Sequence, residues 1–498
     1  MKTSPLVILG FDRASVDSLI RWAEEGYLPT IASIMERGFW GKTSGPELVS
    51  EYGVALSLFS GLSRAEHGYY YFRQLKTGTY KLQPFSAEAA RTVPFWAHLR
   101  GKNKKAAILD ADESILVKGL PGIQLLHWAG SDKMKKASAE PPALLDETRR
   151  LFGPPFDVPG YVSRSTVKED LQACRRFLER VEKKGRLCRS LLSRGNFDLV
   201  VLQFHEAHTG GHRLWKYRST PQSALREIYQ AIDREIGMIL SELPSKANVF
   251  ILSTYGMEEQ YPMRGLIESF CRRLGYQATH SALPISFKSS EFFIKIAAKM
   301  LRGRLNPSLF RKFEEELIAR RFHGSTDWKR TTAFAIPSLY TSFLFVNLRG
   351  REPQGIIEPG EEYTALLDRL ESDLKQLVNP ETGKPAVRRV TRAIENFGSL
   401  LSSGLPDLFI EWERSPRFVE RLIHPKAELI QDKPVYFRES YHSPTGFMAA
   451  AGPAIRKQGN IGEISLLDLA PTFLSLLGES IPEEMRGRVM TEALTDAA

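Results

Sequence analysis

Leu6-Val7-Ile8-Leu9-Gly10-Phe11-Asp12-Arg13 reads as a short, fully apolar strand that stops on an acid. A helix is predicted directly after it, from about Val16 to Glu25. Gly26-Tyr27-Leu28-Pro29 breaks that helix, and Thr30 caps the next one, which runs through Met35. In open α/β sheets, functional groups collect at the carboxyl ends of the strands, so Asp12 stands where a site residue is expected. The same grammar recurs along the chain. Phe197–Phe204 and Asn248–Ser253 read as strands with polar residues immediately behind them, in the second case Thr254-Tyr255-Gly256-Met257. Leu408–Trp412 and Gly446–Ala451 look like further strands. Amphipathic helices are predicted at Val167–Leu192, Ser223–Leu243, Ala365–Leu377 and Leu466–Leu477. Alternating strands and helices imply an α/β/α sandwich around a large, mostly parallel sheet.

Composition agrees with a globular enzyme-sized chain. Of 498 residues, 42% are hydrophobic and 25% charged, which excludes a disordered polymer. The formal charge of +10 points to an anionic partner such as a phosphate ester or a membrane surface. No zinc-finger, RRM or helix-turn-helix signature accompanies the charge, so nucleic acid is not expected. The excess is uneven: residues 286–330 carry eleven basic against five acidic residues, more than half of it. That segment is expected to be part of a basic helical insertion or cap spanning 266–335, between core parts 1–265 and 336–498. It can attract an anion to a site or lie peripherally on a membrane. Three cysteines without a CxxC pair exclude a disulfide framework and a cysteine zinc site. The N-terminal apolar run is too short for a signal peptide or a membrane span, so a cytoplasmic protein is expected.

The densest chemistry lies in His205-Glu206-Ala207-His208-Thr209-Gly210-Gly211-His212, directly behind a predicted strand. His208 and His212 are four apart and share a helix face, a spacing that can hold one metal ion. Glu206 is a candidate general base or a partner to the ligands. Tyr441-His442-Ser443-Pro444-Thr445-Gly446 precedes another strand, and His442 is a candidate third ligand.

Taken together, these segments resemble the type I phosphodiesterase/nucleotide pyrophosphatase branch of the alkaline phosphatase superfamily. Val7–Asp12 is similar to the first strand and its metal-binding aspartate. Leu28-Pro29-Thr30-Ile31-Ala32 with Gly38-Phe39-Trp40-Gly41, and Ser57–Gly61 with His67-Gly68-Tyr69, resemble the segments that follow. Phe197-Asp198-Leu199 with His208, His212 and Trp215 resembles the second metal segment, and Ser253–Met257 the third. His442 through Gly452-Pro453, Asp468-Leu469-Ala470-Pro471-Thr472 and Pro482–Gly487 resemble the C-terminal part. The resemblance implies an alkaline-phosphatase-like fold. It also implies two divalent metals, usually zinc, flanking a Thr or Ser nucleophile that forms a phospho-enzyme.

Several positions depart from that pattern. Glu51 falls at the nucleophile position, with Ser50 beside it. Thr254-Tyr255 stands in place of an Asp-His pair, as possible substrate contacts, and His208 in place of an aspartate. The expectation is one metal site rather than two, for zinc or else iron or manganese, drawing on Asp12, His208, His212 and His442. Glu51, Ser50 and Glu206 are the catalytic candidates. The expected activity is metal-dependent hydrolysis or transfer of a phosphate or related ester on an anionic small molecule. Two alternatives remain at this point: a single-metal enzyme of altered chemistry using Asp12 and Glu51, and a non-catalytic relative that binds an anionic ligand or partner.

Overall fold

The computed structural model describes residues 4–90, 92–128, 136–154, 165–279, 307–398, 404–415, 417–432 and 440–495, with backbone only over 307–315. The chain divides into two compact units. The first comprises residues 1–69, 86–258 and 438–498; the second, 70–85 and 259–437.

The first unit is built on a nine-stranded sheet. Its strands are β1 (Leu6–Phe11), β2 (Phe39–Ser44), β3 (Ala106–Leu109), β4 (Gly122–Leu126), β5 (Ser138–Glu140), β6 (Leu199–Phe204), β7 (Asn248–Ser253), β8 (Gly446–Ala451) and β9 (Gly459–Ser465). Their order is β9-β2-β8-β7-β1-β6-β3-β4-β5. The centre, β7-β1-β6-β3-β4, is parallel. Strand β8 runs antiparallel to both β7 and β2, and β5 antiparallel to β4.

Both faces of the sheet are buried, which is why β1 is apolar throughout rather than alternating. Val7, Leu9 and Phe11 enter one core, with α1 (Val16–Glu24), α2 (Pro29–Arg37), α4 (Val167–Leu192), α5 (Glu206–Leu214) and α6 (Ala224–Glu242). Leu6 and Ile8 enter the other, with α3 (Val54–Ser60) and α7 (Leu469–Leu476). The result is the expected sandwich. Helix α4 begins on a capping box formed by Thr166 and Glu169, the start signal that its sequence carries.

Gly38 shows how tightly the sheet is dressed. A Cβ there would lie 1.8 Å from the Ala450 carbonyl oxygen of β8. Backbone cannot yield as a flexible side chain does, so Gly38→Ala is expected to destabilise the protein by about 2–3 kcal/mol. A lower urea midpoint at unchanged m-value would report this; an unchanged midpoint would contradict it.

The second unit has its own core. A four-stranded antiparallel sheet runs Ala333–Ala335, Ser342–Val346, Leu408–Trp412, Val387–Arg392, with helices Arg264–Arg273 and Glu361–Lys375. Leu408–Trp412, read from sequence as part of the central alternation, belongs here. This unit takes in the segment expected at 266–335 and continues to residue 437 before the chain returns to the first unit. In the basic segment, 286–306 lies outside the described residues, and Pro307–Gly324 is helical. Among the described residues, no helix is long and apolar enough to cross a membrane.

Candidate metal centre

The parallel strands deliver their carboxyl ends to one edge. Asp12 follows β1, Asp110 follows β3, His205 follows β6 and Thr254 follows β7. Because β8 is antiparallel, its beginning lies beside the end of β7, with Phe447 opposite Ser253. That reversal brings His442, four residues before Gly446, to the same edge. Helix α5 then presents His208 and His212 from successive turns.

These histidines converge. The Nε2 of His208 lies 3.0 Å from that of His212 and 2.9 Å from that of His442. All three rings are buried, and their ligand atoms lie within 4.8 Å of one another. Each Nδ1 faces an oxygen acceptor. His208 Nδ1 is 3.0 Å from Asp12 Oδ2, His212 Nδ1 is 3.0 Å from the Ser440 carbonyl, and His442 Nδ1 is 2.7 Å from Glu51 Oε2. An imidazole whose Nδ1–H is donated leaves a bare lone pair on Nε2. Burial, with His208 and His442 alongside, holds the pKa of His212 well below the usual histidine range, so that ring is neutral. Nε2 atoms this close are held together by a shared proton or by a cation among them. The donor set fits a divalent metal: three imidazoles, each oriented from behind.

Behind the cluster is a layer of charge. Asp12 is wholly buried, and its Oδ2 also lies 2.8 Å from His205 Nδ1. The other nitrogen of His205 donates to the Asp110 carbonyl at 3.0 Å. With an acceptor at each nitrogen, His205 favours the imidazolium; burial opposes this, but Asp12 prevails and its pKa is raised. Burial likewise works against ionised Asp12, yet Arg13, His208 and His205 hold its pKa well below the carboxylate range. Lys184, buried on α4, reaches Asp110 Oδ2 at 2.9 Å. The non-glycine residues with positive φ among those described are Arg13, Asp110, Glu113 and His127, at 44°, 52°, 47° and 59°. All follow parallel strands at this edge, where strained backbone commonly marks a functional site.

The remaining sequence candidates can be placed. Glu51 lies in the loop before α3, with one oxygen on His442 and the other accepting from the Tyr441 hydroxyl. Ser50 is buried beside it, its carbonyl held by Arg64 Nη2 at 3.0 Å. Asp12, expected as a ligand, meets His208 at its outer nitrogen instead of joining the Nε2 cluster. Glu206 does not reach the histidines: two residues before His208 puts it across the helix, where it pairs with Arg180 at 2.7 Å. Tyr255 donates its hydroxyl to the Leu48 carbonyl at 3.1 Å, and its ring meets His442 edge-on with centroids 6.3 Å apart. Thr254 is buried at the end of β7.

Arg13, His205, Ser440 and Tyr441 were not among the sequence candidates. Their only signal was adjacency to residues that were: each lies within three positions of a candidate, at a strand end or in a ligand loop.

A sequence model of the type I phosphodiesterase / nucleotide pyrophosphatase family matches residues 6–293. No curated protein matches the chain. Among solved structures, the chain is similar to human ectonucleotide pyrophosphatase / phosphodiesterase 5. Identity is 13% over 99% of this chain and 100% of that one, with a TM-score of 0.50. It is also similar to phosphonoacetate hydrolase from Sinorhizobium meliloti 1021, solved in complex with phosphonoformate. There identity is 12% over 96% of each chain, with a TM-score of 0.54. At such identity the likeness is one of fold, and it is the alkaline-phosphatase-like fold expected from the sequence. With the family match covering more than half of its length, the chain belongs to the type I phosphodiesterase / nucleotide pyrophosphatase family and is a phosphoester hydrolase.

Proposed function

We propose that this hydrolase works with one metal ion, zinc, held by His208, His212 and His442. The observation that supports this reading is the convergence of three Nε2 atoms whose Nδ1 partners are all engaged by oxygen. Imidazole suits zinc better than it suits harder ions such as magnesium or calcium. A divalent ion there supplies a Lewis acid that polarises a phosphoryl oxygen and acidifies a water. The protein's part is orientation. Asp12, the Ser440 carbonyl and Glu51 each fix one ring, and Tyr441 fixes Glu51 in turn. Tyr255 steadies the loop at Leu48 and walls His442.

Glu51 has both oxygens engaged and so serves as an orienting group, not as a nucleophile. We take water to attack phosphorus, with the ester P–O bond breaking and the alcohol leaving protonated. The substrate class is a small anionic phosphate or related ester, in keeping with the family and the +10 charge. Three buried free thiols fit a reducing compartment, the cytoplasm.

Ser50→Ala discriminates this route from a phospho-enzyme. It is expected to keep kcat within about fivefold of wild type, whereas loss of a covalent nucleophile costs several orders of magnitude. The whole reading is tested by metal analysis together with hydrolysis of a chromogenic phosphodiester before and after chelation. One zinc per chain and chelator-sensitive turnover are expected. Turnover that survives complete metal removal would overturn it.

A further inference from the structure

We propose that Arg13 stands in for a second cation, and that its guanidinium keeps a second divalent metal out of the site. This rests on the single-metal reading above. Arg13 sits among carboxylates: Nη1 lies 3.4 Å from Asp12 Oδ1, and Nη2 lies 2.9 Å from Asp112 Oδ2 and 3.8 Å from Glu113 Oε1. The charge of Glu51 also acts on it. Asp12 is thus shared: one oxygen serves the histidines, the other serves the arginine.

Two further observations set Arg13 apart from an ordinary ion-pair partner. Its Nε has no hydrogen-bond partner although the residue is only 7% exposed, so an unspent donor is buried among the acids. It also adopts φ 44°, a left-handed conformation that strains a non-glycine residue. Glycine would fit that backbone without cost.

Geometry points the same way. The Asp110–Lys184 and Glu206–Arg180 contacts are closed pairs, whereas the guanidinium of Arg13 faces Asp12, Asp112 and Glu113 together. A divalent ion seated on those same carboxylates would meet the fixed positive charge of Arg13 at short range in a buried site, an unfavourable arrangement in low dielectric.

The test is metal stoichiometry after zinc loading and desalting, measured by inductively coupled plasma mass spectrometry. Wild type is expected to hold one zinc per chain, and Arg13→Lys, which keeps the charge, also one. Arg13→Gly removes the charge without straining the backbone and is expected to hold two. Arg13→Gln serves the same purpose if the glycine variant does not fold. Adding Asp112→Asn to Arg13→Gly is expected to return the count to one. If wild type holds one zinc and both uncharged variants also hold one, the role of Arg13 is overturned and the three-histidine reading stands. Two zinc ions in wild type overturn the proposal as well. No zinc in wild type overturns the three-histidine reading itself, and the Arg13 proposal with it.

Discussion

His212→Ala is expected to lower kcat/KM by about 10³-fold or more and to abolish stoichiometric zinc binding. His212 contributes one of three Nε2 donors, and two imidazoles cannot hold zinc as three do. Removing even an outer partner of a ligand typically costs 10–100-fold in affinity, so loss of a ligand must cost more. Activity alone would not separate loss of metal from loss of fold, but stability does. In the metal-free protein, His212 is a neutral ring whose Nε2 lies 3.0 Å from that of His208. Deleting it removes one crowded ring contact and some packing, so metal-free stability is expected to change by no more than about 1–2 kcal/mol. Wild type should gain about 4 kcal/mol when zinc stands at a thousand times its dissociation constant, and the variant almost nothing. Thermal unfolding with and without zinc measures both quantities. A variant that still binds one zinc and keeps a tenth of wild-type turnover would remove His212 from the centre.

What was legible in the sequence follows from how local each signal is. His208 and His212 were legible because four residues on a helix is a local geometry. The apolar run at Leu6–Phe11 and its abrupt end at Asp12 were legible because a strand buried on both faces has a local signature. The direction of a neighbouring strand has none. Leu408–Trp412 and Asn248–Ser253 have similar apolar patterns, yet one lies in an antiparallel sheet of the second unit and the other in the parallel centre. Roles that depend on distant partners were also hidden. His205 is matched with Asp12 across 193 positions, and Glu51 with His442 across 391. Glu51 aligned with a nucleophile position, but what it does is set by the two side chains that occupy its oxygens. Arg13 was in plain view beside Asp12, and only the arrival of Asp112 and Glu113 gives it a role.

Asp12→Ala is expected to destabilise the metal-free protein by about 3–5 kcal/mol, and this separates two roles for the residue. If Asp12 were chiefly a metal ligand, removing it would relieve the metal-free site of a buried negative charge, and stability without metal would hold or rise. In the structure it instead serves two histidine Nδ1 atoms and the Arg13 guanidinium. Alanine would leave the buried Arg13 guanidinium without one of its carboxylates and two buried imidazole Nδ1 atoms without their acceptor, the situation in which breaking a buried network costs most. Asp12→Asn offers one acceptor oxygen of the right shape without the charge, so it should cost less than alanine but more than a surface change. Both variants should weaken zinc, by about 10–100-fold for asparagine and more for alanine, because His208 loses the group that orients it. Urea unfolding of the metal-free proteins gives the first quantity, and competition with a chromophoric chelator gives the second. Metal-free stability for Asp12→Ala equal to wild type would mean that Asp12 belongs among the ligands and not behind them.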